Sequence, residues 1–565
     1  TKNAMSHFSV GGFAGRAVYY SVDGADSKDN MVGGPVQIFT TEGVAEFSVA
    51  TNQFKAEYGK SQGTIITVLT KSGTNELHGS LFGFLRDDAF QSLSYFDKKL
   101  LAELGGDFEK PKFSRYNVGG SVGGPITKDR THFFLAVERV QEKNFVRVDM
   151  LGQDVWNEYK GLFEQPFNQN LLTLNLTHQL GPRHGLKLRY GYQYDKTENL
   201  GFGGEYALEN GYSSKNINHN LMLAHTWIIK PNVLNEARAV YQYFDNRSDP
   251  NSTSPTRYFE IGGFGQKRNM PQETRQTKFQ FRDDLSWHSE SEATGDIHDV
   301  KVGVDYYFMP RLDLLYTYCE SWYYRAVNGY YWWDAPIRQI EHYSGDPWRF
   351  TGNRYHSVGL FVQDDWKIGR LTLNIGLRYD YNTGLEFDQS GLASVQFLAN
   401  YMPGFEDPGL RRDWNNIAPR FGFAWDLAGN GKTVIRGGYG VFYDQLYAET
   451  FMYAASFLVD NPWSMDFYHR DYDGIRDPDH PGDWWYPDDY ENPTNLPENQ
   501  ITPGLCSDAI GPEFEYPYTR HYNFGFSQQI TADFALDVNY VHTETRGLGK
   551  GDELNRYHSE ADTYT

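Results

Sequence analysis

The chain has 565 residues, of which 16% are aromatic, 22% charged and 56 glycine; it is too aromatic to be disordered, and no run approaches the roughly 20 apolar residues that a membrane-crossing helix needs. A net charge of −21, from 52 Lys and Arg against 73 Asp and Glu, argues against nucleic acid as a partner, because phosphate binding requires clustered positive charge. The two cysteines, Cys319 and Cys506, fit neither a metal-binding pattern nor a disulfide scaffold.

The first residues, TKNAMSHFSV, have neither a basic start nor an apolar core. Any secretion signal is therefore expected outside this chain, which reads as incomplete at its start. Residues 1–75 lack hairpin rhythm and read as a small separate unit, in which Gly63 to Thr70 is predicted to be a strand buried against the wall formed by the rest of the chain. From residue 76, with a first strand near His78, the dominant pattern is alternation at period two, the mark of a strand whose faces meet different surroundings. Leu186, Leu188, Tyr190, Tyr192 and Tyr194 alternate with Lys187, Arg189, Gly191, Gln193 and Asp195. Leu371, Leu373, Ile375, Leu377, Tyr379 and Tyr381 alternate with Thr372, Asn374, Gly376, Arg378 and Asp380, and Phe534, Leu536, Val538 and Tyr540 repeat the design. These strands are roughly ten residues long, and a tilted strand crossing a bilayer needs about 9–11.

The connections alternate in length. Turns centred on Pro182, Pro231, Ile368, Asn430 and Ala532 are short, whereas polar stretches near 89–112, 142–167, 196–216, 246–275, 310–352, 382–413 and 445–518 are long. Short turns at one end and long loops at the other are the asymmetry of an outer-membrane barrel, while soluble sandwiches and propellers keep most loops short. The predicted fold is all-β, a transmembrane antiparallel β-barrel. Trp227, Trp287, Trp366 and Trp425 suit girdles at the two membrane interfaces. Lys187, Arg189, Gln193, Arg378, Asp380, Arg436 and Asp444 form the predicted inward polar wall.

Several stretches resemble a known family. NQFKAEYGKSQGTIITVLTKSGTNELHGSLFGFLRDD, from Asn52, is similar to the junction of plug and barrel in TonB-dependent outer-membrane transporters, in particular the Oar-like branch. The segments from Arg115, Val362, Asn415 and Thr519 resemble later hairpins of that branch, in family order, between about Tyr20 and about Asn555. The resemblance implies a bacterial outer-membrane barrel of about 22 strands whose lumen is filled by an N-terminal plug. Residues 1–75 would be part of that plug, and residues 76–565 the barrel with its long extracellular loops. It also implies contact with the TonB energy-transducing system through a segment ahead of this chain, and outer-membrane lipid as surroundings. The C-terminus, ADTYT, lacks a terminal aromatic, and about 16 strand-like segments are legible, so some strands are expected to be missing.

No enzyme signature is present. GGFG at Gly262 and GGYG at Gly437 have neither a phosphate-loop nor a dinucleotide context, and the 16 His show no ligand spacing. In DYDGIRDPDHPGD, Asp471, Asp473, Asp477 and Asp479 are the candidate ligands for a Ca²⁺ ion, which takes six to eight oxygens; the stretch is not an EF-hand, and a plain solvated acidic loop is the competing reading. Tyr323, Tyr324, Trp332 and Trp333 in one long loop and Trp484 and Trp485 in another are candidate ligand-binding aromatics, or else the loops' own packing. The sequence does not decide whether Cys319 and Cys506 pair. Transport of an unidentified substrate through a plugged barrel is the expected function. The alternatives are a surface-exposed binding or structural protein whose loops hold a partner protein or glycan, and a soluble glycan-binding β-protein. An accessory surface lipoprotein, or another protein, is a candidate partner.

Overall fold

The computed structural model describes residues 15–31, 33–51, 55–105, 110–150, 154–259, 262–316, 321–326, 337–344, 348–400, 402–406, 412–445, 447–448, 451, 464–469, 501–504, 510–512 and 514–548. In chain order, β1 (Val18–Val22), β2 (Ala25–Asp26), β3 (Val44–Thr51) and β4 (Thr64–Thr70) form a small sheet of order β2-β1-β4-β3. The predicted strand at 63–70 is thus β4, central in its sheet and parallel to β1.

Next come β5 (His78–Asp87), β6 (Phe113–Thr127), β7 (Thr131–Val148), β8 (Gly161–Gly181), β9 (His184–Leu200), β10 (Tyr212–Lys230) and β11 (Val233–Pro250). The short β12 (Thr256–Phe259) and β13 (Gly262–Phe264) precede β14 (Gln272–Glu290) and β15 (Ile297–Tyr316); β16 (Ser321–Ala326) and β17 (Ile337–Ser344) precede β18 (Trp348–Ile368) and β19 (Leu371–Thr383). After β20 (Ile417–Asp426) and β21 (Thr433–Tyr443), the short β22 (Ser464–His469) and β23 (Ile501–Gly504) lead to β24 (Tyr518–Gln529) and β25 (Ala535–Arg546). Fifteen of these form one antiparallel sheet, from β25 through β24, β21, β20, β19, β18, β15, β14, β11 and β10 to β5.

Among the described residues its two edges, β5 and β25, are not bonded to each other, so the barrel is open along one seam. An odd number of antiparallel strands leaves both edge strands running the same way. Antiparallel closure would therefore take an odd number of further strands.

Period-two patterning sets the faces. On β9, Arg189, Gly191, Gln193 and Asp195 are buried while the leucines and tyrosines between them are not, and on β19 the buried set is Arg378, Asp380 and Asn382. The apolar set faces lipid and the polar set faces the lumen.

Three features differ from the expectation. Strands reach 21 residues, as in β8 and β18, because the ladder continues past the apolar band into polar sequence, where alternation of hydrophobicity no longer marks it. The four tryptophans all lie within three residues of the short-turn ends of β10, β14, β18 and β20, so they make one girdle rather than two. The opposite girdle is built from Tyr and His, including Tyr192, His219 and Tyr243, and Tyr306 with His356. Finally, the long connections contribute β13, β12, β16, β17, β22 and β23 to a separate six-stranded sheet, with β12 and β16 parallel.

A charge on the lipid face should cost far more than one on the lumen face. Ile375→Lys is expected to destabilise the barrel by about 2–4 kcal/mol and Asn374→Lys by much less, as read from urea unfolding of the protein in lipid; equal costs would contradict the assigned faces.

Candidate functional site

The first sheet and its connections, hereafter the plug, dock into the lumen through polar contacts distributed around the wall. At one end, Arg189 on β9 is fully buried and pairs with Asp23 at 2.9 Å while donating to the Val22 carbonyl at 2.7 Å, and Lys187 reaches the same carboxylate at 3.1 Å. Burial alone would raise the Asp23 carboxyl; Arg189, Lys187 and hydrogen bonds from Thr70 outweigh it and hold the group below its ordinary value. Further along, the Ile38 N–H donates to Gln193 at 2.7 Å and Asn218 donates to the Val36 carbonyl at 3.1 Å.

The centre of the docking surface is ionic. Asp26 is paired with Lys278 on β14 and accepts a hydrogen bond from the Tyr307 hydroxyl of β15 at 2.7 Å; its own N–H donates to Gln280. Lys28 reaches Asp444, one residue past β21, at 3.3 Å, and Lys60 reaches Asp305 at 3.6 Å. Burial pulls the Lys60 ammonium down to about 8, against the attraction of Asp305 and Asp26.

On the far side, Arg378 on β19 holds Asp380 through two bonds of 2.7 and 2.8 Å and donates to the Ala56 and Glu57 carbonyls at 3.3 and 3.4 Å. A Cβ at Gly59 of the plug or at Gly359 of β18 would meet this guanidinium, so a larger residue at either position would displace Arg378 from its present place. His521 on β24 completes the ring, 2.7 Å from the Gln62 carbonyl.

Of the predicted inward set, Lys187, Arg189, Gln193, Arg378 and Asp444 thus touch the plug. Asp380 acts through Arg378, whereas Arg436 bonds Asn539 of β25 at 2.9 Å instead. The plug partners Asp23, Asp26, Lys28, Glu57 and Lys60 were not singled out by sequence; the available signal was the concentration of charged residues in a Gly-rich stretch expected to be buried. Beside Lys55 and Ala56, a cavity of about 360 Å³ separates the plug from the wall between β18 and β25, lined by Asn374, Arg420, Arg436, Asn523 and Asn539.

Tyr323 and Tyr324 fall on β16 of the loop sheet. Trp332, Trp333, Trp484 and Trp485, the carboxylates Asp471, Asp473, Asp477 and Asp479, and both cysteines lie outside the described residues.

Asp23→Asn would leave Arg189 buried without its carboxylate. Plug docking is expected to weaken by about 3–5 kcal/mol, seen as faster proteolysis of residues 15–75 with the barrel intact. Because the docked Asp23 titrates below its ordinary range, its contribution is complete above about pH 4 and is lost as pH falls through the docked value. Lys60 acts in the opposite window: between about 8 and its ordinary 10.5 the docked lysine holds less proton than the free one, so its contribution rises with pH there. Lys60→Met should abolish that rise.

The family described as "Outer membrane beta barrel domain" matches residues 69–151 and 146–565. The TonB-dependent transporter Oar of Myxococcus xanthus is 28% identical over 150 residues, which are 25% of this chain and 14% of Oar. Among solved structures, the outer membrane transporter YddB of Escherichia coli superposes with a TM-score of 0.59 at 15% identity, over 95% of this chain and 62% of YddB. The siderophore receptor PirA of Acinetobacter baumannii gives 0.56 at 14% identity, over 94% and 63%. The chain therefore spans less than two thirds of the length of each of these relatives. With the family match covering nearly all of the open, plugged sheet described above, the chain belongs to the outer membrane beta-barrel family.

Proposed function

We propose that this chain is the plugged barrel of a TonB-dependent outer-membrane transporter, moving an unidentified substrate with work delivered to the plug from the periplasmic side. The observation that carries this reading is the polar docking of the plug. Displacing an apolar core would expose it to water at about 25 cal/mol per Å². Each neutral contact here exchanges for water at a net cost of only about 0.5–1.5 kcal/mol, and the charges regain hydration. Such a plug stays shut at rest and yields to an external pull. The proposed division is residues 1–75 as plug and 76–565 as barrel, and the cavity beside Lys55 and Ala56 is the proposed start of the solute path.

Deleting residues 1–75 should unblock the lumen and give a large conducting pore in planar bilayers, and uptake should cease in cells lacking the TonB system. Unchanged conductance would contradict the plug; uptake independent of TonB would contradict the energy source.

A second reading, a surface protein whose loops hold a partner protein or glycan, is favoured by one observation: the loops build a six-stranded sheet of their own. An accessory surface lipoprotein would dock there. In either case Tyr323, Tyr324, Trp332, Trp333, Trp484 and Trp485 are the proposed contact residues. Asp471, Asp473, Asp477 and Asp479 are the proposed Ca²⁺ ligands, relieving the mutual repulsion of these carboxylates. Chelation should then raise protease cleavage between residues 461 and 499 and leave the barrel intact; identical cleavage with and without chelator would make the segment a plain solvated loop.

A further inference from the structure

The lipid-facing side of the wall carries a carboxylate well inside the apolar band. On β14 the outward set runs Trp287, Leu285, Asp283 and Phe281, because Arg282 and Asp284 between them are buried and Arg282 reaches Glu57 of the plug at 3.5 Å. Asp283 lies four residues from Trp287 of the girdle; at about 3.4 Å per residue and a tilt near 40° it sits about 10 Å into a band about 25 Å tall. An ionisable group at that depth is costly against hydrocarbon and marks a place where something other than lipid is met. Asn235 of β11 donates to Asp283 at 2.6 Å, but among the described residues no cation reaches this carboxylate. Asp364, on the same face and only two residues from Trp366, is served differently: His298 of the adjacent strand stands beside it at 2.7 Å.

The missing imidazole stands on the other side of a trough. Directly opposite Asp283 is Ala237 of β11, and directly opposite Ala237 is His225 of β10. Ala239 is the next outward residue along β11. Two alanines thus separate a carboxylate on one flank from an imidazole on the other, about 10 Å apart across two strand spacings, too far for a bond within one copy. His225 meets His184 through Nε2 at 3.1 Å, which leaves its Nδ1 for a carboxylate. The patch is therefore complementary to itself. A second copy inserted the same way up, related by a twofold axis along the membrane normal through Ala237, sets β10 of each copy against β14 of the other. His225 is two residues from Trp227, so the facing groups lie within about 5 Å of the same depth, and the small residues at the axis let the two walls approach.

We propose that this chain forms a parallel twofold dimer in the membrane through β10, β11 and β14, with Asp283 of each copy bonded to His225 of the second copy. The pairing repeats between copies what His298 and Asp364 do within one, and it takes Asp283 out of contact with lipid.

The test follows energy transfer between donor-labelled and acceptor-labelled protein in phospholipid vesicles as the protein-to-lipid ratio is lowered. Transfer should follow a monomer–dimer equilibrium and disappear on dilution. D283L and H225L should each lower the association constant about tenfold, because the twofold axis removes every lost bond twice. Neither should unfold the barrel, since both place an apolar side chain against lipid, and the far-ultraviolet β signal checks this. The exchange D283H/H225D should restore association. In a C319S/C506S background, a short bis-maleimide should join A237C of one copy to A237C of the second. Monomers at every ratio, D283L associating as tightly as the unaltered chain, an exchange variant no better than D283L, or A237C that is never joined would each overturn the proposal.

Discussion

Everything in this molecule depends on the contrast between the two faces of one long antiparallel sheet. A strand has only two faces, and when hydrocarbon takes one, its polar side chains must occupy the other. The inner wall is therefore polar before any question of cargo arises, and whatever fills the lumen has to present matching donors, acceptors and charges. The plug does so with short strands and exposed carbonyls: Val22, Val36, Ala56, Glu57 and Gln62 each offer a backbone oxygen to a wall side chain.

Buried ion pairs such as Lys28 with Asp444 and Lys278 with Asp26 add little net stability, because the desolvation of two charges offsets their attraction. Their effect is on specificity. A plug shifted along the wall would strand several charges at once, so the contacts set one docked position without making departure from it prohibitive. Hydrophobic contacts join the two parts in three places: Ala25 meets Met222 and Val240, Tyr19 and Ile65 meet Phe442, and Met31 packs with Met309, Leu312, Leu314 and Tyr355. The wall is held by its backbone ladder, and the plug is held to it by side-chain contacts.

The wall was legible in the sequence because lipid imposes a strict alternation. Arg189, Gln193 and Arg378 could be assigned inward from the apolar residues on either side of them. Where lipid ends, that signal ends too: β8 and β18 continue well past their apolar stretches through polar residues that read as loop. The loop sheet was invisible for a related reason, since its strands are three to eight residues long and pair across segments distant in sequence. Plug partners were the hardest to read. Asp23, Asp26 and Lys60 sit in turns or short strands with no periodicity, and their burial is imposed only by the wall that surrounds them.

A wall held by backbone ladders and a plug held by exchangeable polar contacts should come apart separately, and a urea titration with two probes measures that separation directly. A fluorophore on the plug should become solvent-exposed at a urea concentration well below that at which the barrel loses its far-ultraviolet β signal, with the two transitions resolved on one sample. A single coincident transition would contradict this, showing plug and wall to be one cooperative unit.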